Sequence, residues 1–101
     1  MTKTYTIREL SEKLHPVFTS VPIYKAILFG SYAKGLASEN SDVDIYIDSR
    51  GELRGLRFYG VLEDMVEALD KTVDLFDAAE IRRGSPIERE IMQQGVVLFE
   101  R

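Results

Sequence analysis

Two aspartates, Asp42 and Asp44, stand two positions apart in a segment that alternates between polar and apolar side chains. In the segment 42–48 the odd positions are valine or isoleucine, so we predict a β-strand with one buried and one solvent-facing side. Both carboxylates then project from the same side, where like charges repel, and aspartate is disfavoured in strands. A merely solvated strand face is the alternative, but it leaves that repulsion uncompensated. Because Mg²⁺ combines carboxylates with substrate phosphates, we predict that Asp42 and Asp44 bind metal.

A glycine–serine pair, Gly30-Ser31, follows the apolar run Ile23–Phe29, and ten residues separate it from Asp42. The apolar run predicts a buried strand, and positions 30–35 predict a tight turn that opens a short helix. Without a side chain, Gly30 lets the backbone turn sharply and approach a ligand closely. The serine hydroxyl and the free N–H groups of a helix start can face phosphate oxygens. An ordinary turn with a helix cap is the alternative, but with the paired aspartates nearby we predict that Gly30 and Ser31 bind phosphate.

A third carboxylate, Asp74, lies in the predicted strand Thr72–Phe76, between two apolar residues and on the side opposite to them. If this strand neighbours the strand of the paired aspartates, the three acids converge, and Asp74 completes the metal site. The competing acids nearby are Asp48, Asp70 and Asp77. Asp77 has the opposite strand parity to Asp74, and Asp48 lies at the far end of its strand.

Helix-type and strand-type patterns alternate along the chain in the order α-β-α-β-α-β-α-β. There is no repeat, low-complexity segment or linker, so residues 1–101 are predicted to form a single domain. The alternation predicts an α/β (α+β) fold, in which helices pack on a small mixed β-sheet of about four strands. The last strand, Val96–Phe99, is expected at a sheet edge, and the relative direction of the first two strands stays open.

Capping residues and a proline predict the helix boundaries. A capping box at Thr6–Glu9 opens the first helix, and Pro16 is expected to bend or end it near His15. A second capping box, Ser85–Glu88, opens the last helix, and Gly95 closes it. The glycines at 55 and 60 are expected to delay or kink a long central helix. Its apolar stripe is predicted to contain Leu53, Leu56, Leu62, Met65, Val66 and Leu69.

The composition excludes several classes of protein. The 101 residues are 45% hydrophobic and 30% charged, as in an ordinary globular domain. No apolar run approaches the roughly 18 residues of a membrane span, and the N-terminus has no secretory pattern. Without cysteine, thiolate metal sites and disulfides are impossible. We expect a cytoplasmic protein. A net charge of −4 argues against long nucleic acid as its partner.

The segment Gly30-Ser31-Tyr32-Ala33-Lys34-Gly35, followed by Ser41-Asp42-Val43-Asp44-Ile45, resembles the signature of the DNA polymerase beta-type nucleotidyltransferases. Within this superfamily the chain is most similar to the minimal nucleotidyltransferases, short prokaryotic proteins that often accompany HEPN-domain partners as antitoxins. The resemblance covers most of the chain and implies a polymerase-beta-like fold. It also implies transfer of a nucleoside monophosphate, usually AMP from ATP, to a hydroxyl group with release of pyrophosphate.

The resemblance implies roles for individual residues. The glycine–serine pair holds the terminal phosphates of the nucleotide, and Asp42 and Asp44 bind the metals, which are two Mg²⁺ ions. Asp74 binds the metal that is nearer the acceptor, and it helps to deprotonate the acceptor hydroxyl. Lys34, a further nucleotide-binding candidate, stands where the family more often has arginine. It keeps the positive charge but lacks the bidentate geometry of a guanidinium.

For the members that are paired with HEPN proteins, the implied acceptor is a tyrosine hydroxyl of the HEPN toxin, an RNase that the modification switches off. Two alternatives stay open: a non-catalytic antitoxin that neutralises its partner by direct binding, and a transferase that acts on a small molecule or RNA. The complete set of acids favours catalysis. Tyr46 either stacks a base or packs, and the arginines at 50, 54 and 57 form either a solvated or a docking surface.

Overall fold

The computed structural model describes residues 4–101. Residues 1–3, which belong to the N-terminal segment without a secretory pattern, lie outside this range. The elements are α1 (Ile7–Ser20), β1 (Lys25–Phe29), α2 (Gly30–Ala33), β2 (Val43–Asp48), α3 (Leu56–Leu69), β3 (Val73–Asp77), a 3₁₀ turn (Ala78–Glu80), α4 (Pro86–Gln94) and β4 (Val96–Glu100). The predicted alternation of helices and strands is confirmed. None of the helices in residues 4–101 has the length and apolar character needed to cross a membrane.

The four strands form one mixed sheet in the order β3-β2-β1-β4. β1 is antiparallel to both β2 and β4, whereas β2 and β3 are parallel. One helical turn and a loop connect β1 to its antiparallel neighbour β2, while the long helix α3 carries the chain back to start the parallel strand β3. The predicted α+β fold with a small mixed sheet is therefore confirmed, and β4 lies at an edge as predicted.

The two sides of the sheet are covered differently. On one side α1 and α3 enclose the larger core, whose almost fully buried members include Leu10, Leu14, Phe18, Ile45, Ile47, Met65 and Leu69. On the other side α4 covers a smaller cluster, which contains Ile27, Phe29, Tyr46, Phe76, Ile81, Ile87 and Ile91. Because successive strand residues point to opposite sides, the acids at the even positions of β2 share the side of α4.

The helix α1 continues through Pro16 to its end at Ser20, so the predicted end near His15 is wrong. A proline inside a helix removes one backbone hydrogen bond, and its ring crowds the preceding turn. Leu14 and Val17 lie on either side of this proline, and both are buried in the larger core. Their burial holds the helix together across the missing hydrogen bond.

The helix α3 begins at Leu56, because Gly55 adopts a φ of 58°, outside helical geometry. Leu53 is buried in the loop before the helix, whereas the side chain of Leu56 is 89% exposed. The predicted apolar stripe is therefore wrong at its first two positions, although the predicted late start is confirmed. The buried positions within the helix are Val61, Met65 and Leu69.

The predicted helix caps are present, with one exception. Thr6 and Glu9 form a reciprocal capping box at the start of α1. Ser85 caps α4 by accepting a hydrogen bond from the Glu88 N–H, but the Glu88 carboxylate accepts from the Gly84 N–H instead of completing the box. The glycine predicted to close α4 does so.

Candidate active site

The pairing of β2 with β3 brings two of the predicted acids together. The parallel register places Asp44 directly beside Asp74. Both side chains project from the side of the sheet opposite to the larger core. The two carboxyl groups are close enough to hydrogen-bond when Asp44 is protonated. Asp42, the third acid, is exposed and stands one residue before β2 rather than within it.

The environment of Asp44 raises the pKa of its carboxyl group to about 6. Partial burial is the largest cause, followed by the negative charge of Asp74 and the hydrogen bond to it, and then by the charges of Asp42 and Glu90. Each of these effects disfavours the ionised form of Asp44. The acids therefore form a site with unbalanced negative charge.

A divalent cation fits this set of side chains, because carboxylate oxygens are hard ligands and a bound cation relieves the repulsion between Asp44 and Asp74. Within residues 4–101, no three Asp, Glu or His side chains are already gathered into a complete metal site. The Asp44–Asp74 pair is therefore the centre of the candidate site. Water and phosphate oxygens commonly complete the coordination of magnesium when a protein supplies only one or two carboxylates.

Gly30 connects the predicted phosphate loop to these acids. Its φ of 73° lies in the left-handed region, and a Cβ atom at this position would overlap the carboxylate of Asp44. Glycine is therefore required both by the backbone conformation and by the close approach. Ser31 follows in the first turn of α2 and is partly buried. The structure thus places Gly30, the first residue of the predicted phosphate-binding pair, against Asp44, a predicted metal-binding acid.

Glu90, which the sequence analysis does not identify, extends from α4 to the phosphate loop. The Gly30 N–H donates a hydrogen bond to Glu90 Oε2 at 3.2 Å, and Lys34 Nζ lies 3.5 Å from the same oxygen. Lys34, a predicted nucleotide ligand, therefore faces a carboxylate of its own chain. The helical spacing contained a signal, because Glu90 lies three residues after Ile87, which packs on the sheet, so the two residues are neighbours on the same face of α4.

The competing acids have structural contacts of their own. Asp77 is 3% exposed and accepts a hydrogen bond from the Ser49 hydroxyl at 2.6 Å. Asp48 accepts from the Arg50 N–H in the turn after β2. Asp70 ends α3 in the left-handed conformation. Asp77 and Asp48 thus have side-chain hydrogen bonds of their own, and Asp70 has a place at the end of a helix, so each of these acids has a structural role apart from the candidate site.

The aromatic and basic candidates are engaged in local packing. Tyr46 belongs to the apolar cluster under α4. The Arg50 guanidinium lies 4.0 Å from the centre of the Tyr24 ring, and Arg54 Nε donates to the Gly51 carbonyl oxygen. Of the two interpretations of Tyr46, the structure therefore favours packing.

The raised pKa predicts that ionised Asp44 destabilises the fold. The pKa is about 6 in the folded state against an ordinary value of 3.8, so this group contributes stability below pH 3.8 that is lost as the pH rises through 6. Asp44→Asn should therefore raise the free energy of unfolding above pH 6 by about 1–2 kcal/mol, once solvent screening of a partly exposed group is allowed for. The gain should shrink as the pH falls and vanish near pH 4.

Urea unfolding at about pH 7.5 and at about pH 4 measures this difference. Asp64→Asn, an identical change at an exposed position of α3, is the control and should alter stability by less than about 0.5 kcal/mol. If Asp44→Asn is no more stable than the parent at the higher pH, the charge at this site is already balanced by other groups.

Comparison with known proteins identifies the family. The profile described as "Polymerase beta, Nucleotidyltransferase" matches residues 12–101. The fold and the site define a nucleotidyltransferase domain, and the chain belongs to the polymerase beta nucleotidyltransferase family. The resemblance drawn from the sequence is therefore confirmed.

Among the proteins similar to this chain are two curated relatives and a solved structure. Protein adenylyltransferase MntA of Shewanella oneidensis is 33% identical over 73 residues, which cover 71% of this chain and 50% of that protein. The Methanocaldococcus jannaschii protein MJ0435, which has a provisional protein adenylyltransferase name, is 30% identical over 69 residues, which cover 68% of this chain and 74% of that protein. This chain thus spans half the length of MntA.

The similar solved structure is a crystal structure of a toxin–antitoxin with AMP-PNP. One of its chains is 26% identical and superimposes with a TM-score of 0.76, covering 90% of this chain and 73% of that one. The polymerase-beta-like fold is therefore shared over nearly the whole chain.

Proposed function

We propose that this protein transfers AMP from ATP to a hydroxyl group, a tyrosine, of a partner HEPN toxin and thereby acts as its antitoxin. The observation that carries the proposal is the contact of Gly30 with Asp44, which stands beside Asp74. This contact brings the proposed phosphate loop next to the paired acids, which supports assigning them to one site. The adenylyltransferase name of MntA and the nucleotide analogue in the similar toxin–antitoxin structure support the same function.

The phosphate loop binds the terminal phosphates of ATP. The Gly30 N–H and the Ser31 hydroxyl supply hydrogen-bond donors, and Lys34 supplies a positive charge beside the loop. Because Lys34 has no planar fork, it attracts phosphate mainly as a point charge. The loop thus holds the part of the nucleotide that leaves as pyrophosphate.

Asp42, Asp44 and Asp74 are the residues that hold divalent metal, and we infer two Mg²⁺ ions. Such ions would neutralise phosphate charge and lower the barrier to transfer of the adenylyl group. Asp44 lies between the proposed phosphate loop, where the nucleotide binds, and Asp74, where the acceptor hydroxyl binds. Its carboxylate therefore links the position of the nucleotide to that of the acceptor.

In the transfer step the acceptor hydroxyl oxygen bonds to the α-phosphorus, and the bond from that phosphorus to the bridging oxygen breaks. Pyrophosphate leaves, and AMP remains on the acceptor as a phosphodiester. Asp74 accepts the hydroxyl proton, since its exposed carboxylate is the member of the Asp44–Asp74 pair that solvent and an acceptor reach. Asp42 and Asp74 are both exposed, which leaves this end of the site open to a second protein.

The test is to incubate the chain with Mg²⁺, α-labelled ATP and the protein encoded by the adjacent gene. The proposal expects label on the partner, dependent on Mg²⁺, and loss of the partner's RNase activity in proportion to labelling. Label on RNA or a small molecule in place of the partner, or no transfer at all, would contradict it.

Asp74→Asn should slow transfer much more than it weakens ATP binding. The substitution keeps the shape of the side chain but removes the proton acceptor, so we expect the rate to fall by about 10²-fold or more. The dissociation constant for MgATP should change by less than about fivefold, because the phosphate loop is intact. Single-turnover labelling and calorimetric titration measure the two effects separately. A binding defect as large as the rate defect would argue against a role at the acceptor.

A further inference from the structure

We propose that Glu90 is an internal competitor for the phosphate loop, occupying the place of the terminal phosphates until nucleotide displaces it. The inference rests on the proposed function, because it assigns an occupant to the nucleotide site before the nucleotide arrives. It concerns a residue of α4 that the sequence motif of the site does not contain.

One carboxylate oxygen of Glu90 interacts with the same hydrogen-bond donor and the same positive charge that a phosphate oxygen would contact. Glu90 Oε2 accepts the hydrogen bond of the Gly30 N–H at 3.2 Å and lies 3.5 Å from Lys34 Nζ. A backbone N–H beside a left-handed glycine and an ammonium group are typical partners of phosphate. The carboxylate therefore stands where an anion is expected, and it excludes a phosphate oxygen from the same donors.

The contacts of Glu90 permit it to leave. The side chains of Lys34 and Glu90 are 39% and 34% exposed, so solvent screens their attraction. The backbone of α4 is held independently, because Ile91 is 2% exposed and Gly95 lies against Ile27. A change of rotamer at Glu90 is thus enough to open the loop, without movement of the helix.

Charge adds to the competition. Glu90 acts electrostatically on Asp44, so it increases the negative charge at the point where a triphosphate must enter. Its withdrawal toward solvent lowers the repulsion that the incoming phosphates meet. Glu90 therefore lowers the affinity for nucleotide in two ways, by occupying the donors and by its charge.

Titration of the full chain with MgATP and with magnesium pyrophosphate tests the proposal. Glu90→Gln removes the charge and keeps the shape, and Glu90→Ala removes both, so the second variant stands in if the first is poorly folded. We expect both variants to bind each ligand about three- to tenfold more tightly than the parent. Glu63→Gln, the same charge change at an exposed position of α3, should leave both affinities unchanged.

AMP is the matched control ligand, because it lacks the phosphates with which Glu90 competes. The proposal expects AMP to bind the parent and the Glu90 variants alike. Unchanged or weaker MgATP binding in both variants would overturn it, as would an equal gain for AMP. If neither the parent nor the variants bind MgATP, the proposed function itself fails, which is distinguishable from binding that is indifferent to Glu90.

Discussion

Asp44→Asn should lower the rate of the proposed AMP transfer to a partner by at least about a hundredfold, and Asp42→Asn should cause a loss of the same kind. An amide is neutral and a poorer ligand than a carboxylate for a hard cation. Asp44 is the more sensitive position, because it contacts the phosphate loop and also stands beside Asp74. The loss should therefore appear in the transfer step itself, even at saturating ATP.

Single-turnover labelling of the partner, with saturating MgATP, measures this rate. Asp48→Asn is a matched control, since it makes the same change on the same strand and side but at the far end of β2. Asparagine at that position can still accept the hydrogen bond from the Arg50 N–H. Asp48→Asn should transfer AMP at nearly the parental rate.

Stability distinguishes this loss from unfolding. Asp44→Asn is expected to be more stable than the parent at neutral pH, so a lower rate cannot be assigned to a smaller folded fraction. If the Asp42 and Asp44 variants label the partner as well as the parent does, the metal assignment is wrong. If they lose labelling but still neutralise the partner in cells, direct binding is the antitoxin mechanism.

Gly30→Ala should slow the proposed transfer strongly and destabilise the fold. The left-handed conformation costs an alanine roughly 1–2 kcal/mol, and the new methyl group would overlap the Asp44 carboxylate, which adds about 1–3 kcal/mol. We therefore expect the free energy of unfolding to fall by about 2–5 kcal/mol. Relief of the overlap moves Asp44 away from the loop, so the rate should fall at least about a hundredfold in the molecules that remain folded.

Gly35→Ala is a closely matched control for this prediction. Gly30 and Gly35 have the same φ of 73°, but a Cβ atom at Gly35 meets no atom within 4 Å. Gly35→Ala should therefore show only the conformational cost of about 1–2 kcal/mol and keep most of the transfer rate. Denaturant unfolding and labelling of both variants separate strain from contact. If the two substitutions change stability and transfer rate equally, the proximity of Gly30 to Asp44 does not contribute to transfer.

Local patterns were sufficient for the fold class and for the side of the sheet on which Asp44 and Asp74 lie, but not for the pairing of their strands, which brings the two acids together. The alternation around Asp44 fixed which side of the strand the acids occupy, and the position of Asp74 between two core residues placed it on the same side. The capping box of α1 and the glycine at the end of α4 set helix boundaries through contacts within a few residues. Interactions between residues that are only a few positions apart can be predicted from sequence, because the partners are already neighbours along the chain.

Effects that depend on distant partners could not be predicted in the same way. Pro16 lies inside α1 because burial of its neighbours in the core outweighs a local breaking signal. Leu56 fits the helical stripe in sequence but is exposed, because the turn at Gly55 delays the start of the helix. Glu90 reaches Gly30 across 60 positions of sequence, and only the packing of α4 on the sheet brings the two together.

On the proposed function, the unbalanced charge at Asp44 links the stability of the folded chain to the binding of metal and nucleotide. A ligand that binds only the folded state stabilises it by about 2.7 kcal/mol at a hundredfold excess over its dissociation constant. Small domains have a total stability of only about 5–15 kcal/mol. A cation at Asp44 removes a repulsion that the unliganded fold must bear, which lowers the dissociation constant of the cation and so increases the stabilisation at a given cation concentration. If the proposed function is correct, resistance to heat and to proteases should therefore increase with the concentrations of metal and nucleotide.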